Sequence, residues 1–342
     1  MGSVVGLDIG TYTIKAIELK KTGKTFRVVR AAMIPNEVGR VLPVDPSERE
    51  KLMALVKKLF AEFHFPTTNV RVGLPESMVS TKIVTMPPLS DAELASAVVW
   101  QAEQYIPIPA QNLQLEYQVL YRPDKKNVSE QMRVLLVGMM KQTLEQYSTM
   151  LLECGLELTG METNMLGLYR AVGLERNLPT TLVVHFGAST TEMFVVHNGE
   201  LAFVYAYPNG GTVLSRALER ALGLDPSQAE AYKRTYGLDP SQLEGKVRGA
   251  LQPVFTLFVT EMQKALQYFS GSHQGAQTKR ILLSGGSSAL PNGIPTIAES
   301  LPLEITLFSP FSTLTIEKGV EINPLDMSAY GVAGGLAMGS EA

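Results

Sequence analysis

Cysteine is nearly absent from this chain. Cys154 is the only one in 342 residues, alongside four histidines and one tryptophan. A lone thiol cannot close an intrachain disulfide. With no CxxC pair and the histidines scattered, a structural zinc site is not indicated either. Long apolar runs are also missing. The longest, residues 134–140, has the length of a buried strand, far short of the roughly 20 residues that span a bilayer. Residues 1–8 carry no basic region and meet an acid at Asp8, so they do not read as a signal peptide. Charge is scarce and neither sign dominates. Charged residues make up 18% of the chain, and 30 Lys+Arg against 33 Asp+Glu leave a net −3. Nucleic-acid binders carry a basic excess, so no nucleic-acid partner is expected. Together these absences point to a cytoplasmic protein. What is present is material for a core, since 45% of residues are hydrophobic. The length corresponds to two domains of about 100–200 residues, or to one body split by a cleft.

The spacing predicts strands at 4–9, 14–19 and 25–34, joined by tight turns as an antiparallel meander. A helix follows, with Ser47 and Glu50 as a capping box and Leu52, Leu55, Val56, Leu59, Phe60 and Phe63 at helical spacing. A strand is expected at 70–74. From 78 to 160 the texture changes. This block has a strand at 79–86, a helix from its cap at Ser90 to Tyr105, and a break at Ile106-Pro107-Ile108-Pro109. Strands at 113–121 and 132–139 flank the polar stretch 122–130, and a helix covers 141–153. It reads as an inserted subdomain. Trp100, on its first helix, is expected to be partly buried. The second half restarts with strands at 182–186, 192–197 and 201–207. Helices follow at 212–222, 226–236 and 242–269, the last with Pro253 as a kink or break. Strands at 280–284 and 305–308 precede an apolar, Gly-rich segment at 329–338. Gly23-Lys24-Thr25 ends like a P-loop, but Glu18 stands where the first glycine belongs, so it reads as a hairpin turn.

One repeat carries the chemistry. Asp8-Ile9-Gly10-Thr11-Tyr12-Thr13 and His185-Phe186-Gly187-Ala188-Ser189-Thr190 each follow a strand, turn at glycine and enter another strand. Either alone is an ordinary hairpin turn. As a pair, 177 positions apart, they suggest two related halves facing one cleft. Gly and hydroxyl-rich turns can aim backbone N–H groups and side-chain oxygens at phosphate, and glycine permits close approach. Asp8 is a candidate magnesium ligand through water. A third turn, Gly285-Gly286-Ser287, follows a strand and offers bare backbone to a base or sugar.

In this order and separation, the three turns resemble the phosphate-1, phosphate-2 and adenosine motifs of the actin-like ATPase superfamily. Residues 161–169 and 329–336 resemble its two connecting segments, and Ala229-Glu230-Ala231-Tyr232-Lys233 its nucleoside-flanking helix. Within the superfamily, the insert is similar to that of type IV pilus assembly proteins of the PilM family. The residues concerned are Met86-Pro87-Pro88-Leu89, Glu103-Gln104-Tyr105-Ile106-Pro107-Ile108-Pro109 and Leu115-Glu116-Tyr117-Gln118. The resemblance implies an α/β, ribonuclease H-like duplicated, two-lobed ATPase fold with an inserted 1C-type subdomain. Lobe I would take residues 1–77, 161–180 and 325–342, the insert 78–160, and lobe II 181–324.

It further implies ATP and Mg²⁺ as cofactors. Asp8 would sit on the magnesium side, and Gly10, Thr11, Tyr12 and Thr13 around the β- and γ-phosphates. Lys15 would neutralise phosphate charge, unless it is simply a solvated strand lysine. Gly187, Ala188, Ser189 and Thr190 would form the opposing loop, and Gly210 and Gly211 the next helix start. Glu230, Lys233, Gly285, Gly286 and Ser287 would hold the nucleoside, and Glu162 would orient the attacking water. The second phosphate loop usually opens with Asp, and His185 departs from that, which implies slow or undetectable hydrolysis. The implied role is a scaffold that binds the N-terminal cytoplasmic tail of PilN between subdomains 1A and 1C. Residues 79–85 and 106–117 are candidate groove segments. Contact with pilus assembly ATPases and self-association are further expectations, and the membrane would be reached only through partners. The alternatives are an FtsA-like division or filament protein and a sugar-kinase-like phosphotransferase.

Overall fold

The structure, a computed structural model, describes residues 3–23, 25–123, 130–175, 177–273 and 275–339. Lys24 of the first hairpin turn, residues 1–2 and 340–342, and most of the polar stretch after residue 122 lie outside the described residues. The chain opens with the antiparallel meander β1 (Val4–Ile9), β2 (Thr13–Thr22) and β3 (Thr25–Pro35). Helix α1 (Pro46–Glu62) is capped by Asp45, whose side chain accepts from the Glu48 N–H, and not by Ser47. Pro46 explains the shift, because its fixed φ and missing N–H suit the first helical position. Strand β4 (Asn69–Leu74) lies parallel to β1.

The insert follows as β5 (Val79–Met86), α2 (Asp91–Tyr105), β6 (Leu113–Tyr121) and β7 (Met132–Met140). Its three strands form their own sheet in the order β5-β7-β6. Ser90 and Glu93 make the reciprocal capping box at the start of α2. Strand alternation divides β7. Val134 and Leu136 pack under Leu94, Val98 and Ala102 of α2. Leu135 and Val137 face the other way, in the layer that contains Val204 of lobe II. One expectation needs correction here. Trp100 is 59% exposed, because α2 turns Leu94, Val98 and Ala102 inward and leaves Val99 and Trp100 on the outer face. The candidate groove segments 79–85 and 106–117 fall on either side of β7, in β5 and in the stretch that runs into β6.

The insert ends near residue 140, not 160. Helix α3 (Lys141–Glu153) packs Tyr147, Met150 and Leu151 with Leu52, Val56 and Leu59 of α1. Strand β8 (Glu157–Thr163) pairs with β4. Helix α4 (Asn164–Val172) then leads to lobe II, with β9 (Thr181–Phe186), β10 (Thr191–His197) and β11 (Glu200–Tyr207). Helices α5 (Gly211–Leu222), α6 (Pro226–Tyr236) and α7 (Lys246–Ser272) cover one face. Helix α7 runs through Pro253 without a break. Strand β12 (Arg280–Ser284), helix α8 (Gly293–Ala298) and strand β13 (Glu304–Leu307) complete a sheet ordered β11-β10-β9-β12-β13. The two-residue β14 (Thr315–Ile316) returns to lobe I beside β3, so that lobe reclaims the chain earlier than residue 325. The first sheet is ordered β14-β3-β2-β1-β4-β8.

Helix α9 (Gly331–Met338) crosses α4 between the two sheets. Leu168 of α4 and Val332 and Leu336 of α9 share this layer with Ile17 of lobe I and Val183 and Phe194 of lobe II. The crossing is backbone-close. A Cβ on Gly335 would lie 1.7 Å from the Gly167 carbonyl oxygen, and one on Gly6 would lie 2.0 Å from that of Ala333.

Candidate functional site

The two repeated turns have the same local geometry. The Gly10 N–H donates to the Thr13 carbonyl at 3.0 Å, and the Gly187 N–H to the Thr190 carbonyl at 3.0 Å. A Cβ on either glycine would sit 2.9 Å from that carbonyl oxygen, closer than side chains are tolerated. The flanking strands share a register too, with Ile9 opposite Ile14 and Phe186 opposite Thr191. The turns meet across the gap between the lobes, where the Thr11 and Ser189 hydroxyls lie 2.6 Å apart.

Beneath them is a cleft of ≈ 620 Å³. Residues 10–13, 187–190 and 285–287 line it together with Asp8, Lys15, Glu230 and Lys233. Antiparallel pairing builds the floor. Asp8 lies opposite Lys15 in β1–β2, and His185 lies opposite Glu192 in β9–β10. All four are buried. Lys15 is therefore no solvated strand lysine, and its Nζ donates to the Asp8 carboxylate at 2.7 Å. Burial lowers the pKa of His185 to about 4, with Asp8 opposing and Lys15 assisting, so the imidazole is neutral. Its Nδ1 lies 3.4 Å from the Ser284 hydroxyl. Glu192 is pushed well up by burial and by the nearby Glu76 carboxyl of lobe I. Burial raises Glu76 to about 7.

The third turn is stitched to the second. Gly285 has φ +92°, and a Cβ there would lie 2.5 Å from the Phe186 carbonyl oxygen. Ser287 Oγ donates to the Gly187 carbonyl at 3.3 Å. Gly286 faces open space, with nothing within 4 Å of the position a Cβ would take. Glu230 and Lys233 are joined at 2.6 Å, and both reach the Ser215 hydroxyl, which braces α6 against the start of α5.

Three expected residues do not line the cleft. The Gly211 N–H donates to the Gly187 carbonyl and that of Thr212 to Ala188, each at 2.9 Å. The first donors of α5 thus hold the second turn instead of an anion. Gly210 is needed for that approach, since a Cβ would sit 2.6 Å from the Ala188 carbonyl oxygen. Glu162 accepts two hydrogen bonds from Arg170, at 2.7 and 2.5 Å, and Arg170 also reaches the Gly335 carbonyl. Its carboxylate braces the α4–α9 crossing. The expected magnesium side of the cleft carries an internal ion pair. The Asp8 carboxylate is engaged by an ammonium, a neutral imidazole stands opposite, and among the described residues no three His, Cys, Asp or Glu are placed to hold a metal ion.

The sequence reading missed Asn36, Glu192 and Asn164. Asn36 donates to the Gly10 and Arg40 carbonyls, and its own N–H bonds the Tyr12 carbonyl, so it pins the first turn. Asn164 lines the cleft two positions beyond Glu162, with its buried Oδ1 unpartnered. Arg133 of the insert bonds Glu200 of β11, tying the insert to lobe II. No helix among the described residues is long and apolar enough to cross a membrane.

A family model described as type IV pilus assembly protein PilM matches residues 6–341. The chain is similar to a solved structure of a PilM-PilN type IV pilus biogenesis complex, with TM-score 0.85 and 24% identity over 98% of this chain and 97% of that one. It also resembles the ethanolamine utilization protein EutJ from Carboxydothermus hydrogenoformans, at TM-score 0.61 and 15% identity over 99% and 90%. MreB5 of Spiroplasma citri bound to AMPPNP gives 0.52 and 12% over 98% and 95%. The architecture is the two-lobed, actin-like ATPase fold.

Proposed function

The chain belongs to the type IV pilus assembly protein PilM family, and from that premise we propose that it is a nucleotide-binding scaffold of the pilus inner-membrane assembly platform. The observation that carries the nucleotide reading is the meeting of two matched glycine turns, Thr11 to Ser189 at 2.6 Å, over a cleft of ≈ 620 Å³. A volume of this order suits a nucleotide-sized ligand. ATP is the proposed ligand, with its phosphates between the first two turns and its nucleoside against residues 285–287. That a relative of this fold is described bound to AMPPNP supports the choice. Hydrolysis is slow or absent in this reading, because Glu162 is engaged by Arg170 and His185 is neutral.

The partner is the N-terminal cytoplasmic tail of a PilN-type membrane protein, held between lobe I and the insert. A relative described in complex with PilN supports this. The insert is anchored to both lobes. Val79 and Met139 are buried in the lobe I core, and Arg133 bonds Glu200 of lobe II. A change in lobe closure therefore reaches the groove, in the manner of a hinge-type switch. Attachment to the inner membrane comes through that partner. The test is a titration of the full chain with a synthetic PilN tail peptide, followed at saturating ATP and without nucleotide. Saturable binding whose affinity shifts with ATP is expected. No saturable binding would overturn the partner assignment.

A further inference from the structure

The duplicated floor of the cleft does not have the donor set of a magnesium site. Hydrated magnesium is held by hard oxygen ligands, usually one or two carboxylates together with substrate phosphates. In lobe I the register pair is Asp8 with Lys15, and in lobe II it is His185 with Glu192. The Asp8 Oδ2 accepts from Lys15 Nζ at 2.7 Å, and both side chains are buried. The cation that this carboxylate faces is thus part of the chain. At the matching position of lobe II, His185 offers a nitrogen and no carboxylate oxygen. Gly10 also matters, because a Cβ there would lie 3.2 Å from Lys15 Nζ. Its absence leaves the ammonium open towards the turn under which phosphates would lie.

We propose that the cleft binds its nucleotide without a divalent ion, with the Lys15 ammonium supplying the counter-charge to the phosphates. The proposal rests on the nucleotide reading of the same cleft. Asp8 acts as a positioning residue that holds Lys15 at the floor before the ligand arrives. A charge fixed in a buried, weakly screened site acts more strongly on a phosphate than one on the surface.

The test is calorimetric titration of the full chain with ATP, once in excess EDTA and once in excess magnesium. The two affinities are expected to agree within about threefold, a small difference on the free-energy scale. Lys15→Gln is expected to weaken binding in EDTA by roughly 10- to 100-fold, the range of a charge-assisted hydrogen bond. That variant leaves Asp8 buried without its partner, so Asp8→Asn combined with Lys15→Gln is measured beside it, each checked for folding by circular dichroism. The double variant leaves no unpaired charge and is expected to lose affinity similarly. Loss of wild-type binding in EDTA, or wild-type affinity in a folded Lys15 variant, overturns the proposal. Absence of binding in both buffers overturns the nucleotide reading itself, and the proposal with it.

Discussion

His185 is held neutral by burial, its pKa lowered to about 4 from an ordinary 6.5. In the unfolded chain it takes a proton near pH 6.5. Between about pH 6.5 and 4 the unfolded state therefore binds more protons than the folded one, and stability falls as the pH drops through that window. The loss attributable to this residue approaches about 3 kcal/mol at the lower end. Thermal unfolding from pH 7 to 4.5 is expected to show a shallower fall for His185→Gln than for wild type. Equal slopes would contradict the burial argument. Glu162→Gln separates two roles. It is expected to leave ATP affinity unchanged and to lower Tm, because it weakens the Arg170 brace. Much of the site was legible at this scale, since glycine in a matched strand–turn–strand context has few other uses. The Asp8–Lys15 pair follows from hairpin register once the turn length is known. Asn36 was not legible, because a side chain that bonds a carbonyl 26 residues away leaves no local pattern.

Among the elements, the crossing of α4 and α9 depends on glycine. Gly335→Ala would place a methyl group 1.7 Å from the Gly167 carbonyl oxygen, so the helices must separate. Overpacking of this kind costs about 2–3 kcal/mol, and denaturant unfolding of the variant is expected to show that loss. An unchanged midpoint would mean that the crossing is not rigid. The insert supplies its own probe. Trp100 is the only tryptophan and is exposed on α2. Docking of a PilN-type tail on the insert is expected to change its emission, with the same midpoint as calorimetry, whereas docking elsewhere would leave it unchanged. The insert's boundary was misjudged for a physical reason. Strand β8 is short and mixes polar with apolar residues, and only its long-range pairing with β4 reveals that it belongs to lobe I. The start of α2 at Ser90 with Glu93 was legible as a capping box, whereas Ser47 with Glu50 gave way to Asp45 because Pro46 takes the first helical position.

Across the whole molecule, the lobes approach each other through acid as well as through the turns. Glu76 of lobe I and Glu192 of lobe II are near neighbours, both pushed up by burial. For an acid whose folded pKa is raised, the unfolded chain ionises first. The contribution of these two acids to stability is therefore fully present below about pH 4.5 and is lost as the pH rises towards and beyond 7. Glu192→Gln is expected to raise Tm at pH 8 relative to wild type, with the gain shrinking towards pH 5. A constant offset would contradict the coupling between lobes. The central claim is that this cleft is the nucleotide site, and calorimetric titration of ATP into wild type and Gly286→Glu tests it most directly. Gly286 has open space around its missing Cβ, so glutamate there fits the fold while filling the cleft with negative charge. Wild type is expected to bind one ATP per chain, and Gly286→Glu, with Tm unchanged, to bind none. Equal binding by the two proteins, or none by wild type, would contradict the account.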